Sequence, residues 1–296
     1  MVKSWVKDCF EELMNLEACT IEKLEQGLSL AEKYHVITVN KEYMIKVTSE
    51  QLDLKNYEVL KSMYESGIPV IAALKWRNYT DKKNTVLIFD WVPGVNLETV
   101  LKECSSEQKK EYGVLAAKVL RQFHEFPVDL LPNYKSPYSL FKRYKFCLFS
   151  SHVSYPYKKE MDKYVKNKKN EFKNCTRYTM THQDFRPENI LVYKGELYLV
   201  DFETAYISDP YSDFVFCISI QPDEHIKYSL ALINEYFESK VPNEFWSWTC
   251  FYCIMAIQKY AIWKFRRKRK MVRYQAEHLY DLYAGMKSTV PEFWRS

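Results

Sequence analysis

The sequence predicts an α+β fold of two lobes: a small, mostly antiparallel sheet with one main helix, then a larger helical lobe. Three observations carry this. Short β-type runs crowd into the first 92 residues, helical periodicity takes over after Pro93-Gly94, and a polar loop leads into an apolar hairpin between residues 181 and 200. A chain of 296 residues has room for two domains or two lobes, with boundaries expected at 1–92 and 93–296.

The opening segment, MVKSWVKDCFEELMNLEACT, has the apolar spacing of an amphipathic helix. It lacks a basic stretch followed by an apolar core, so it does not read as a signal peptide. HVITV and EYMIKV follow, and Asn40-Lys41 between them suits a two-residue hairpin connection. Residues 50 to 66 read as a helix, stopped by Gly67 with Pro69 beyond it. VIAALKW and TVLIFDWV are two further strand-like runs. Past residue 93, Ser105 and Gln108 stand at capping-box spacing. Behind them Tyr112, Leu115, Ala116, Val119, Leu120 and Phe123 recur at the helical period. Residues 139 to 173 read as a charged, solvated helical region, and helical patterns return from about 211 to 287. Between these lie a short strand, a polar loop, and the hairpin ILVY, Lys194-Gly195, ELYLV.

Composition excludes several classes. Hydrophobic content of 47% with 16% aromatics supplies a sizeable core and argues against disorder. No run approaches the ~18 apolar residues of a membrane helix. Eight scattered cysteines, without a signal, read as reduced thiols of a cytoplasmic protein. The CxxC of Cys250 and Cys253 lies in the apolar run WSWTCFYCIMAI, with no second pair or histidines near it, so it reads as core packing rather than metal binding. Net charge is +5, with eight cationic residues and no acid from Lys259 to Arg273. That run reads as the solvated face of a helix; no nucleic-acid-binding module accompanies it.

The chemistry concentrates in THQDFRPENILVYKGELYLVDFETAYISDP, residues 181 to 210. Phosphoryl transfer asks for an acid to orient a hydroxyl and hard oxygen ligands for Mg²⁺. Asp184 meets the first need. Asn189 and Asp201, twelve residues apart across one tight hairpin, meet the second. HQDFRPEN resembles the kinase catalytic loop, a His-x-Asp with an Asn five residues after the Asp, and VDFE stands where a DFG motif would. Lys46 in EYMIKVT resembles the β3 lysine, with Glu58 as its best helical partner. Only seven residues separate Asp201 from Asp209, which leaves no room for a protein-kinase activation segment.

DFETAYISDPYSDF is similar instead to the aminoglycoside phosphotransferase and choline kinase superfamily, of protein-kinase-like fold. ISDPYSDF is nearest to the aminoglycoside 2''-phosphotransferase branch, and DFE is nearer to choline-kinase-like members. The resemblance covers about residues 20 to 215. It implies a Mg²⁺-dependent kinase that uses ATP or GTP and acts on a hydroxyl of a small molecule. It makes 1–92 the nucleotide-binding lobe and places the catalytic loop and acceptor site in 93–296. By the same resemblance Asp184 is the catalytic base, and Asn189 and Asp201 are the metal ligands. Lys46 binds the α- and β-phosphates, held by Glu58, and Phe89, Asp90 and Val92 line the base. Arg186 stands where kinases carry a lysine, and either touches the γ-phosphate or pairs with Glu188. His182 fixes the loop, while Asp209 and Asp213 brace it or cap the following helix. Glu203, in place of the DFG glycine, adds negative charge behind the metal ligands or contacts the substrate. No GxGxxG is present; Gly27 and Ser29 are the material for a reduced phosphate-covering turn.

The leading acceptor is an aminoglycoside-like aminocyclitol, which wants carboxylates such as Asp223, Glu224, Glu235, Glu238, Glu277 and Asp281. The runner-up is choline or another amino alcohol, which wants aromatics such as Trp246, Trp248, Tyr252, Tyr260 and Trp263 with an acid. A catalytically silent nucleotide binder is the alternative from another class. Against it, Lys46, Asp184, Asn189 and Asp201 are all present. The expected state is a monomer or weak dimer, with nucleic acid and membrane not among its partners.

Overall fold

A computed structural model describes residues 4–24, 31–48, 55–79, 83–127, 154–220 and 225–295. The chain divides into two compact units. One holds Met1–Asn96 with Leu191–Glu203, and the other holds Leu97–Ile190 with Thr204–Ser296.

In the first unit, helix α1 (Ser4–Met14) precedes strands β1 (Thr20–Leu24), β2 (Glu32–Ile37) and β3 (Glu42–Thr48). Helix α2 (Lys55–Glu65) comes next, then β4 (Ala73–Tyr79) and β5 (Asn84–Asp90). The five strands form one antiparallel sheet in the order β1-β2-β3-β5-β4. Its buried face alternates as half-buried strands must. Tyr34, Val36, Tyr43, Ile45, Val47, Val86 and Ile88 meet Val6 and Phe10 of α1. The β2–β3 connection sits one residue earlier than the sequence suggests. Thr38 and Lys41 close it through their backbones and the Thr38 hydroxyl, so Val39 and Asn40 form the tip. Helix α2 ends in a Schellman motif, with Gly67 at φ +82°, Ile68 N–H on the Met63 carbonyl and Gly67 N–H on that of Tyr64.

Two short strands finish this unit. β8 (Ile190–Tyr193) pairs with β6 (Val95–Asn96) and with β9 (Glu196–Leu199). Lys194 and Gly195, at φ 52° and 81°, form the two-residue turn between β8 and β9 that their residue types call for. Leu199 bonds back to the Pro69–Ile71 segment, which ties the hairpin to the N-terminal sheet unit. At Gly94 a Cβ would sit 3.0 Å from the Val192 carbonyl oxygen, so the two segments cross closely here.

The second unit is helical. It contains α3 (Leu97–Glu103), α4 (Ser106–Glu125), α5 (Lys158–Lys173), α6 (Ile226–Tyr236), α7 (Asn243–Leu282) and α8 (Glu292–Arg295). A two-stranded antiparallel ribbon of β7 (Thr179–Thr181) and β10 (Tyr206–Ser208) accompanies them. Ser105 and Gln108 form the expected capping box at α4. Ala116, Val119, Leu120 and Phe123 are buried, whereas Leu115 is exposed, one step outside the apolar stripe. Cys250 and Cys253 are fully buried on α7, as core packing requires. No described helix is long and apolar enough to cross a membrane.

Helices α4 and α6 approach closely at Gly113. A Cβ there would strike the Tyr228 carbonyl oxygen and lie 2.9 Å from Ala231 Cβ. Gly113→Ala should therefore destabilise by about 1–3 kcal/mol despite the better helix propensity of alanine. Thermal melting reads this as a Tm lowered by several degrees, and an unchanged or raised Tm would show that the helices have room.

Candidate active site

The loop after β7 is built around one buried carboxylate. Asp213, 2% exposed, accepts the main-chain N–H of His182 at Oδ2 (2.8 Å) and that of Gln183 at Oδ1 (2.6 Å). Two successive amides converge on one group because Gln183 adopts φ +65°, which gives a nest-like turn. The Gln183 side chain is held at both ends. Its amide nitrogen donates to Thr181 Oγ1 (2.7 Å) and Ser212 Oγ (2.6 Å), and its oxygen accepts from the Tyr206 hydroxyl (2.8 Å). The Thr204 hydroxyl donates to the His182 carbonyl. His182 is fully buried, its ring packed edge-to-face with that of Phe185.

This frame presents Asp184, whose side chain is 39% exposed. The Asn189 side-chain nitrogen donates to both the Asp184 carbonyl and Oδ2, each at 2.9 Å. Asn189 is carried there by a 3₁₀ turn, Pro187–Asn189, opened by proline. Arg186 lies 3.5 Å from Asp184 and 3.9 Å from Glu188, so it stands beside both groups.

In the first unit, Lys46 is 3% exposed and donates to Asp201 Oδ1 at 2.6 Å across 155 residues of sequence. A lysine this deeply buried needs such a partner. Glu58, the expected partner, is exposed on α2 and makes no ion pair with Lys46 in the structure: α2 turns that position to solvent. Asp201 itself adopts φ +70°, a left-handed conformation that aspartate tolerates better than most residues. Phe89 is buried at the end of β5. The Asp90 carboxylate is engaged by Lys41 (2.6 Å) and by the Tyr64 hydroxyl, and Val92 is partly buried beyond it. Ser29 and Gly27 lie outside the described residues, as does the Glu203 side chain.

Asp209 is fully buried. It accepts two bonds from Arg177 (3.2 and 2.7 Å), one from the Tyr252 hydroxyl (3.0 Å) and one from the Tyr211 N–H (3.0 Å). The Tyr211 bond caps the 3₁₀ turn Pro210–Phe214. The Arg177 guanidinium lies against the rings of Tyr211 and Trp248, 4.3 and 4.7 Å from their centroids. Burial by itself would lower the Arg177 pKa; the bonds to Asp209 outweigh it and raise it.

Next to Asp184 opens a pocket. Gln183, Asp213, Tyr206, Phe216, Phe251 and Met255 line it with Asp184, and Tyr252, Lys259 and Tyr260 complete a wall supplied by α7. Burial raises the Tyr260 pKa, and the Asp184 charge adds to that.

The sequence matches the phosphotransferase enzyme family over residues 20–246. The chain belongs to that family. No curated protein matches this phosphotransferase by sequence. Among solved structures it is similar to a spectinomycin phosphotransferase, APH(9)-Ia, in complex with ADP and spectinomycin, at a TM-score of 0.60 and 16% identity, covering 94% of each chain. It is similar also to the choline kinase LicA of Streptococcus pneumoniae, at 0.63 and 16%, covering 94% of this chain and 98% of that one. APH(2'')-IIa, in a ternary complex with streptomycin and ATP, gives 0.66 and 14%, covering 97% and 99%. At these identities the likeness is one of fold, and it does not single out the 2'' branch.

Arg177 carries no sequence signal that separates it from other charged residues of its segment. Gln183 and His124, which also contacts Asp213, were equally hidden, because Tyr206 and Ser212 for the one, and Asp213 and Tyr236 for the other, stand more than twenty residues away. Of the proposed aromatics, Tyr252 and Tyr260 line the pocket while Trp246 and Trp248 are buried; the side chain of Trp263 lies outside the described residues. The proposed acids are engaged elsewhere: Glu235 and Glu238 with Arg121, and Glu277 with Arg273. Asp281 is exposed, and Asp223 and Glu224 fall outside the described residues.

Replacing Arg177 in this phosphotransferase strands a buried carboxylate. Arg177→Met should cost about 3–5 kcal/mol, whereas the double variant Arg177→Met, Asp209→Asn should cost clearly less. Chemical denaturation of both variants is the measurement. Equal losses would mean that the cation does not neutralise Asp209.

Proposed function

We propose that this phosphotransferase moves the γ-phosphoryl group of ATP or GTP to a hydroxyl of a small amino-bearing molecule, with Asp184 as general base. One observation carries the reading: a partly exposed carboxylate, fixed by Asn189 and a braced loop, stands in the wall of an open pocket lined by aromatic and polar side chains.

In this reading the acceptor hydroxyl gives its proton to an Asp184 oxygen as its own oxygen bonds to the γ-phosphorus. The bond from that phosphorus to the β–γ bridging oxygen breaks, and the nucleoside diphosphate leaves with the electron pair. Lys46 would meet the α- and β-phosphates, and Arg186 the γ-phosphate.

The donor set suits Mg²⁺. Asn189 spends its nitrogen on Asp184, which presents its oxygen as a hard ligand, and Asp201 offers a carboxylate. Among the described residues no three His, Cys, Asp or Glu side chains form a metal cage. Asn189 and Asp201 are the residues that would hold the cation. When bound, it neutralises charge on the phosphates.

Two acceptor classes follow, an aminocyclitol and an amino alcohol such as choline. The described lining favours the second. Phe216, Phe251, Tyr206 and Tyr260 offer aromatic surface for one ammonium. Asp213 is already committed to the loop, so it is not free to meet the several ammonium groups of an aminocyclitol.

Turnover of ATP and of GTP with Mg²⁺ should be stimulated by amino alcohols more than by aminoglycosides. Asp184→Asn should lower kcat by roughly 10²–10⁴-fold. Stimulation by aminoglycosides alone would reverse the order of acceptors, and an Asp184→Asn variant as active as wild type would remove the assigned base.

A further inference from the structure

Asp213 receives a third donor besides the two loop amides. His124, near the C-terminal end of α4, places Nε2 at 3.0 Å from Asp213 Oδ2, the oxygen that also accepts from His182 N–H. The other ring nitrogen, Nδ1, lies 2.7 Å from the Tyr236 hydroxyl on α6. His124 is 8% exposed, and its own carbonyl accepts from the Thr179 hydroxyl on β7, three residues before His182.

With a neutral His124 ring, the three groups have a single donor order. A carboxylate only accepts, so Nε2 carries a proton and donates. In the neutral ring Nδ1 is then an acceptor, and the Tyr236 hydroxyl donates to it. Burial raises the Tyr236 pKa, which keeps that hydroxyl protonated. The order is Tyr236 to His124 to Asp213 to the amides of residues 182 and 183, and the next residue is Asp184.

We propose that His124 is a positioning residue for phosphoryl transfer: by orienting the Asp213 carboxylate it sets the loop turn that places Asp184, and Tyr236 holds its tautomer. The inference rests on the reading of Asp184 as base. Its structural part, the dependence of the loop on His124, is measured separately.

The test uses the full chain with His124→Leu, His124→Gln and Tyr236→Phe. Glutamine keeps a donor where Nε2 stands; leucine keeps bulk alone. Hydrogen exchange of the peptide spanning residues 181–184 reads the loop amides without any acceptor. Steady-state kinetics reads the consequence. Loss of one bond to a charged group predicts roughly tenfold or greater faster exchange in His124→Leu. A similar fall in kcat is expected, with the nucleotide KM little changed, restored for the most part in His124→Gln and milder in Tyr236→Phe. Should leucine prevent folding, the Gln and Tyr236 variants still discriminate. Wild-type exchange and kcat in Tyr236→Phe, together with a glutamine variant as impaired as leucine, would overturn the role. If the wild type shows no acceptor-dependent turnover but exchange still follows His124, the kinase reading fails and the loop-positioning inference survives. If the wild type turns over and the His124 variants match it in both readouts, the positioning inference alone falls.

Discussion

A buried carboxylate has to be met by donors, and at Asp213 those donors are the backbone of the loop itself. Desolvating a carboxylate is costly, and hydrogen bonds from amides and from His124 are what offset it. The arrangement is mutual. The amides of His182 and Gln183 can converge only if Gln183 takes a left-handed turn, and that turn in turn needs the fixed acceptor. Thr181, Ser212 and Tyr206 then immobilise the Gln183 side chain, so the position of Asp184 follows from satisfying a charge one layer beneath it. Function here rests on polar accounting more than on apolar packing.

A second buried carboxylate, Asp209, is met differently. Arg177 neutralises it with two bonds and lies against two aromatic rings, while the Tyr252 hydroxyl, the Tyr211 N–H and the Cys175 thiol also donate to it. The two aspartates are four residues apart on one 3₁₀ turn. One anchors that turn against Arg177 and α7, and the other holds the loop. The turn is therefore a bracket pinned by charge on both sides, and the aromatic cluster of Phe214, Tyr236, Phe237 and Phe245 packs beside it.

What could be read in the sequence was local in origin. Lys194-Gly195, Gly67 and the Ser105–Gln108 box each encode their conformation within a few residues, and each appears in the structure. The spacing of Asp184 and Asn189 was likewise local, and the structure joins the two by hydrogen bonds. The order of motifs named Lys46 and Asp201 separately, and the structure pairs them across 155 residues. Glu58 stands exposed on α2, because helical spacing says which residues share a face but not which way the face turns. His124, Arg177 and Gln183 were invisible because each acts through a partner far along the chain, and periodicity carries no trace of such pairs. The one-residue shift of the β2–β3 turn has a physical source too: the Thr38 hydroxyl closes the loop, a side-chain effect that strand patterning does not register.

The Lys46–Asp201 pair links these threads. An ammonium in the sheet interior is tenable only beside a carboxylate, and the hairpin of β8 and β9 delivers one on a residue at φ +70°. The hairpin is itself tied to the sheet unit through Leu199 and through the close crossing at Gly94. Backbone placement thus comes first, and the charge pair is its product. On the proposed reading the same two side chains serve phosphate and metal, so the ion pair that makes Lys46 tolerable in the core also keeps both groups in place before either ligand arrives. Burial of an ion pair is a poor source of stability. A chain that retains one, at the further cost of a left-handed aspartate, spends stability to keep a cation and an acid side by side.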